Sequence, residues 1–179
     1  LDTAGYPDPD GDGPGPRLSL SLKVSNIEFN RLQSSVIQQD LRAVGIALDV
    51  RTFEFATLYA DVLKGNFQLF TLQWVGGAVV DPDILRRVFH SSQVPPTGFN
   101  RGYFENAEVD RLLDEAGAST NDAERLAKYH RVQQIIAEEV PYISLWHKTN
   151  AVVADRSLAG IHLLPTADFT FLKDVERAN

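Results

Sequence analysis

Residues 18–55 read LSLSLKVSNIEFNRLQSSVIQQDLRAVGIALDVRTFEF, and the fold turns on them. LSLSLKV (18–24) alternates Leu and Ser at period two, the pattern of a half-buried strand. Phe29, Leu32, Val36, Ile37, Leu41 and Val44 then recur at helical spacing, and Gly45 stands where a glycine would end that helix. IALDVRTFEF (46–55) alternates again as a strand. Working outward, residues 56–64 read as a short helix stopping at Gly65, and FQLFTLQW (67–74) as a third strand rich in aromatics. Strand, helix, strand, helix, strand at this spacing predicts βαβ units with a largely parallel sheet flanked by helices, an α/β architecture.

Upstream lies GYPDPDGDGPGP (5–16), a stretch of Gly, Pro and Asp that reads as a loop. Asp8, Asp10 and Asp12 followed by Gly13 open like a calcium-binding loop. The twelfth position is Ser19 where a bidentate glutamate is needed, and Pro14 and Pro16 stiffen the interior, so the linker reading is preferred. Downstream the chain turns helical. Val109, Leu112, Leu113 and Ala116 form one apolar stripe behind a capping Asn106. Leu126, Tyr129, Val132, Ile136 and Val140 form another, stopped by Pro141. YISLWHK (142–148) and AVVA (151–154) read as strands joined by a turn around Asn150, and beyond Gly160 no period is visible. The expected organisation is a leading loop over 1–17, a lobe over 18–160, and a separate closing segment over 161–179.

The 179 residues suffice for a sizeable core, and their 44% hydrophobic and 23% charged content is that of ordinary globular chains. A net charge of −7 without any Lys/Arg cluster argues against nucleic acid, whose binding begins with phosphate neutralisation. Without cysteine there are no disulfides and no thiolate metal sites. A chain that starts at Leu1 and contains no methionine is expected to be a processed or excised piece. No apolar run approaches the roughly 20 residues that span a bilayer as a helix.

Candidate chemistry is sparse. There is no G-x-S-x-G elbow, and His90, His130, His147 and His162 are scattered without metal-ligand spacing, so neither a nucleophilic triad nor a metal or cofactor site is implied. Asp81 and Asp83 have two readings. As residues two apart on an extended segment they could pair like hydrolase carboxylates. As Asp-Pro-Asp they start a helix, with Asp81 capping, Pro82 in the first turn and Asp83 meeting the dipole; this loop-structuring reading is the plainer one. GFNRGYFEN (98–106) groups Asn100, Arg101 and Tyr103 around Gly102, either as a ligand-contacting loop or as a solvated connection with Tyr103 on the core. In QWVGGAVVDPD (73–83), Trp74 precedes Val75 and the pair Gly76–Gly77 at the carboxyl end of a predicted parallel strand. α/β sheets place their binding loops at such ends, and glycine lets backbone groups approach a ligand closely.

These segments, in this order, resemble the C-terminal lobe of the family 5 extracellular solute-binding proteins, the receptors of peptide, nickel and related ABC importers. The likeness is carried by GIALDV (45–50), GNFQLF (65–70), the Trp74-to-Asp81 loop, NAEVDRLLDEA (106–116) and PYISLW (141–146). It implies a periplasmic or extracytoplasmic receptor, soluble or lipid-anchored, whose second lobe lies outside this chain and whose 161–179 segment returns to that lobe. It implies capture of a small solute, peptide-like or other, by hinge closure, delivery to permease subunits, and no enzymatic activity. Trp74, Val75, Gly76, Gly77, Asn100, Arg101 and Tyr103 would face the ligand, with Asp81 and Pro82 holding the loop. Peptide-binding members often carry an aspartate where Gly77 stands, so the resemblance implies either a solute without a free amine or an amine met elsewhere in this cleft. A hydrolase working through Asp81 and Asp83 and a sensor module on the same fold are the alternatives.

Overall fold

The computed structural model describes residues 1–11, 13–74, 81–164 and 168–178. Their contacts fall into two units, one formed by residues 1–73 and 86–110 and the other by 74–85 and 111–179.

The first unit is built on three parallel strands. β1 (Leu18–Ser25) pairs with β2 (Ile46–Phe53) from Leu18↔Ile46 to Ser25↔Phe53, and with β3 (Leu69–Phe70) through Leu22↔Leu69 and Lys23↔Phe70. The order is therefore β2-β1-β3. Helix α1 (Glu28–Ala43) connects the first pair, and α2 (Phe55–Leu63) carries the chain across β1 to its other side. Leu22, Val24 and Leu48 form a buried cluster, and Leu20, Ile37, Leu41 and Val50 pack against it. Side chains alternate along a strand, so Lys23 projects to the opposite face. There its ammonium meets Asp61 of α2 at 2.6 Å. The parallel α/β architecture predicted from 18–74 is present.

Several elements differ from the sequence reading. The apolar stripe of α1 divides: Ile37 and Leu41 face the sheet, whereas Phe29, Leu32, Val36 and Val44 are exposed. A single period cannot distinguish a stripe that meets the sheet from one beside it. β3 contains only Leu69 and Phe70 of the predicted 67–74, extended by one bond from the Thr71 N–H to the Lys23 carbonyl.

Helices α3 (Ile84–Phe89) and α4 (Ala107–Ala118) run through the division between the units. The Asn106 side chain caps α4 by accepting from the N–H groups of Glu108 and Val109 at 2.9 and 3.0 Å. In the second unit, α5 (Asp122–Glu139) buries Tyr129, Val132 and Ile135, and Ile136 is only partly covered. The predicted strands over 142–148 and 151–154 do not form; the segment is extended coil with Ile143, Leu145, Trp146 and Val153 exposed. A strand needs a hydrogen-bonded neighbour, and no ladder among the described residues includes this segment. The end of the chain folds back on itself. β4 (Leu158–Ala159) pairs antiparallel with β5 (Glu176–Arg177), and Gly160 approaches the Asp174 carbonyl too closely for any side chain.

Asp61 also accepts from the Asn66 amide. The hydrogen bonds from Lys23 and then Asn66 hold its carboxyl below the ordinary aspartate range. A depressed carboxylate contributes stability that is complete above its unfolded pKa, about 3.9, and disappears as pH falls through the folded value. Asp61→Leu should therefore be markedly destabilising, because it strands a buried ammonium, and should flatten the acid limb of a stability–pH curve. Lys23→Met with Asp61→Leu should recover most of the loss in urea unfolding.

Candidate functional site

The strand order of the first unit makes one edge of its sheet the candidate ligand site. The connection from β1 leads to β2 on one side, and β3 lies on the other, so the strand order reverses between β1 and β3. In open α/β sheets the crevice outside the carboxyl ends of the strands at such a reversal receives the ligand. Here that edge is formed by the turn after β1, Asn26 and Ile27, and by residues 71–73 after β3. Asn26 is held to the edge by its N–H, which donates to the Phe53 carbonyl at 2.8 Å. Below it, the Asn30 amide donates to the Ser25 hydroxyl at 2.6 Å, and Ser25 is buried.

The residues singled out from the sequence are distributed as follows. Trp74 belongs to the second unit and is 42% exposed. Val75, Gly76 and Gly77 lie outside the described residues. Asn100, Arg101 and Tyr103 belong to the first unit. Asn100 is 1% exposed and its amide serves the chain itself: Nδ2 donates to the carbonyls of His90 and Phe104, and Oδ1 accepts from the Phe104 N–H. Arg101 is 7% exposed; its guanidinium lies 5.1 Å from the Tyr59 ring centre and 5.2 Å from that of Phe99, and Nη2 donates to the Tyr59 hydroxyl at 3.0 Å. Cation–ring packing of this kind locks the loop onto α2.

Tyr103 lies in the left-handed region at φ +53, uncommon for a bulky residue. Its ring rests on Gly65, where an added Cβ would meet it at 3.3 Å. Gly65 lies between α2 and β3, so Tyr103 sits where β3 begins, away from the carboxyl edge.

Asp81 and Asp83 are both engaged within the second unit. Asp81 Oδ1 accepts from the Asp83 N–H at 2.8 Å, and its carboxylate faces Arg125 of α5 at 3.4 Å. The Asp83 N–H, then Arg125, lowers the Asp81 carboxyl below its usual range. Asp83 accepts from the Tyr129 hydroxyl at 3.3 Å, and burial raises that phenol. Pro82 borders a cavity of about 180 Å³ with Asp122, Arg125, Leu126 and Tyr129.

A Ser/His/Asp grouping missed in the sequence sits where α3 ends. Asp110 accepts from both the N–H and the hydroxyl of Ser91, and His90 Nδ1 accepts from the Ser92 N–H at 3.1 Å. In a catalytic relay the carboxylate and the serine meet opposite ring nitrogens. Here serine and carboxylate both lie on the Nδ1 side, Asp110 at 3.7 Å, so the grouping fastens a turn to α4. The signal was present only as Ser91 and Asp110, 19 residues apart, which no motif links.

Asn100→Ala should cost about 3 kcal/mol, since it strands buried partners. Tyr103→Gly should instead leave stability unchanged or raise it by about 1 kcal/mol by relieving the positive φ. Chemical unfolding of the two variants separates the structural amide from the exposed ring.

Residues 1–96 match the bacterial extracellular solute-binding proteins, family 5 Middle. The probable D,D-dipeptide-binding periplasmic protein DdpA of Escherichia coli K12 is 26% identical over 134 residues, 75% of this chain and 26% of that protein. The glutathione-binding protein GsiB of the same strain is 28% identical over 139 residues, 75% of this chain and 27% of that protein. Among solved structures, the oligopeptide-binding protein AppA of Bacillus subtilis, in complex with a nonapeptide, superposes over 100% of this chain and 36% of its own, with 26% identity and a TM-score of 0.83. The chain thus spans about a quarter of the length of the curated relatives it matches. With more than half of its residues inside the family match and the α/β lobe in place, the chain belongs to the bacterial extracellular solute-binding proteins of family 5.

Proposed function

We propose that this chain is a ligand-binding lobe of an ABC importer's solute receptor, and that its solute is a short peptide or peptide-like molecule. The observation that carries the reading is the reversal of strand order between β1 and β3 in a chain of this family, since open α/β sheets receive ligands at the carboxyl edge beside such a reversal. The relatives described as binding a D,D-dipeptide, glutathione and a nonapeptide support the choice of solute class.

In this reading Trp74 supplies apolar and stacking contact, and Val75, Gly76 and Gly77 offer backbone groups. Asn100 and Arg101 act through the fold, given their burial, and Tyr103 contributes at most from the rim. The solute stabilises a closed arrangement with a second lobe by binding it more tightly than the open one. The closed receptor then meets the importer's permease subunits outside the cytoplasmic membrane, as a soluble or a lipid-anchored protein. In the complete receptor the segment 161–179 runs toward the second lobe. No group here is assigned a catalytic role: Asp81 and Asp83 are occupied by Arg125 and Tyr129.

Native mass spectrometry of the full-length receptor, purified without dialysis, tests the reading. A retained molecule of peptide mass that is lost on denaturation is the expected result. Trp74→Ala should then weaken recapture of that molecule by about tenfold or more, with thermal unfolding run in parallel to separate lost contact from lost stability. A receptor that retains nothing and binds no tripeptide by calorimetry sinks the proposal. Turnover abolished by Asp81→Asn would favour the hydrolase.

A further inference from the structure

Helix α1 has two apolar faces. Ile37 and Leu41 pack against the sheet, and a second stripe lies exposed beside them. Leu32 is 62% exposed and Val36 59%, with Phe29 half exposed a turn earlier and Ala43 exposed near the end of the helix. A helix that only had to cover a sheet would carry a solvated face opposite its apolar one. Positions 29, 32, 36 and 43 instead keep the alternating three-and-four spacing of a seam between two helices, and Gln39 stands at the one place where that repeat turns polar. Single exposed aliphatics are ordinary, but a row of them along one helix face makes a continuous surface.

The charges beside the seam say what fits it. Glu28 stands in the first turn of α1 and Arg42 in the last. They are two full heptads apart and so lie on the same flank of the stripe, with the uncharged Ser35 between them. The other flank holds Gln33 and Asp40. Such a surface is its own complement when a copy is laid on it antiparallel. Leu32 then packs on Val36 of the copy, and Glu28 meets the copy's Arg42, each contact occurring twice as a two-fold axis requires. In a parallel copy Glu28 and Arg42 would face the flank of Gln33 and Asp40, and neither would find its opposite charge.

We propose that the receptor self-associates through this stripe, α1 of one molecule lying antiparallel on α1 of a second about a two-fold axis between Leu32 and Val36. The inference goes beyond solute capture and does not depend on which solute is bound. The 16 residues of α1 make a helix about 24 Å long. One pair of that length falls below the roughly 1,200 Å² at which stable interfaces begin, so the dimer forms reversibly with concentration. The apolar side chains supply its affinity; the exposed ion pairs, worth little individually, fix its direction. An acidic first turn and a basic last turn also suit the helix dipole, and the test separates the two roles.

Sedimentation velocity of the full-length receptor over a concentration series, with thermal unfolding in parallel, provides that test. The parent should pass from monomer to dimer as concentration rises. Val36→Glu sets two carboxylates beside the two-fold axis and should weaken the dimer by about tenfold or more. Glu28→Arg should weaken it about fivefold, because like charges then meet at both ends of the seam. Adding Arg42→Glu to Glu28→Arg restores opposite charges with their signs exchanged. The dimer should return in that double variant, although both charges now oppose the helix dipole and the Tm should fall. A parent that stays monomeric at every concentration overturns the inference, and so does a dimer that persists in Val36→Glu. A double variant with a lowered Tm and no recovered association would show that Glu28 and Arg42 serve the helix alone, and overturns it as well. None of these outcomes bears on solute retention, so the receptor reading stands or falls separately.

Discussion

The carboxyl half of β1 has no face left for water. Parallel neighbours occupy both of its edges, and Leu22, Lys23, Val24 and Ser25 are all buried. A parallel strand in that position must be covered on both sides, which is why βαβ crossovers place helices there. α1 covers the side of Leu22 and Val24 with Ile37 and Leu41. α2 covers the other side and meets an ammonium there. Burying a lone charge costs far more than burying a paired one, so α2 must bring Asp61 to Lys23 for that side of the sheet to close. The ion pair ties the second crossover to the central strand, and with it the position of β3.

From this arrangement the reversal of strand order follows. Because α2 carries the chain over β1, β3 returns on the far side and the strand order reverses. The carboxyl ends of β1 and β3 then stand side by side, and the connection after each leaves from the same edge. The fold fixes the backbone of that edge tightly: Asn26 bonds to Phe53, Thr71 bonds to Lys23, and Asn30 bonds to Ser25. A rigid scaffold with variable residues on its connecting turns is the usual division of labour in binding proteins.

What could be read in the sequence, and what could not, divides along the same physical line. The alternation in 18–24 and 46–53 and the capping of α4 by Asn106 report interactions local to a few residues, and these were legible. The role of Asn100 was not. Asparagine beside arginine, glycine and tyrosine has the composition of a ligand loop, and only the fold shows its amide spanning His90 and Phe104. Arg101 likewise has a binding residue's chemistry and a core residue's address, between Tyr59 and Phe99. Polar groups that satisfy a buried turn and polar groups that wait for a solute look the same until burial is known.

The stretch 142–154 extends the point from single residues to whole elements. YISLWHK and AVVA carry the alternation of strands, yet they lie as exposed coil. Period-two patterning specifies a surface to be covered and an edge to be paired; it does not supply the neighbour. Helices satisfy their backbone bonds internally, so α4 and α5 form from their own residues, whereas a strand is a statement about another strand. Helical pattern is therefore realised, whereas the alternation over 142–154 is not; the ladders among the described residues are those of β1 with β2 and β3, and of β4 with β5. The exposed Ile143, Leu145, Trp146 and Val153 are the residue of that asymmetry, apolar alternation written for a neighbour that the sheet of β1, β2 and β3 does not provide.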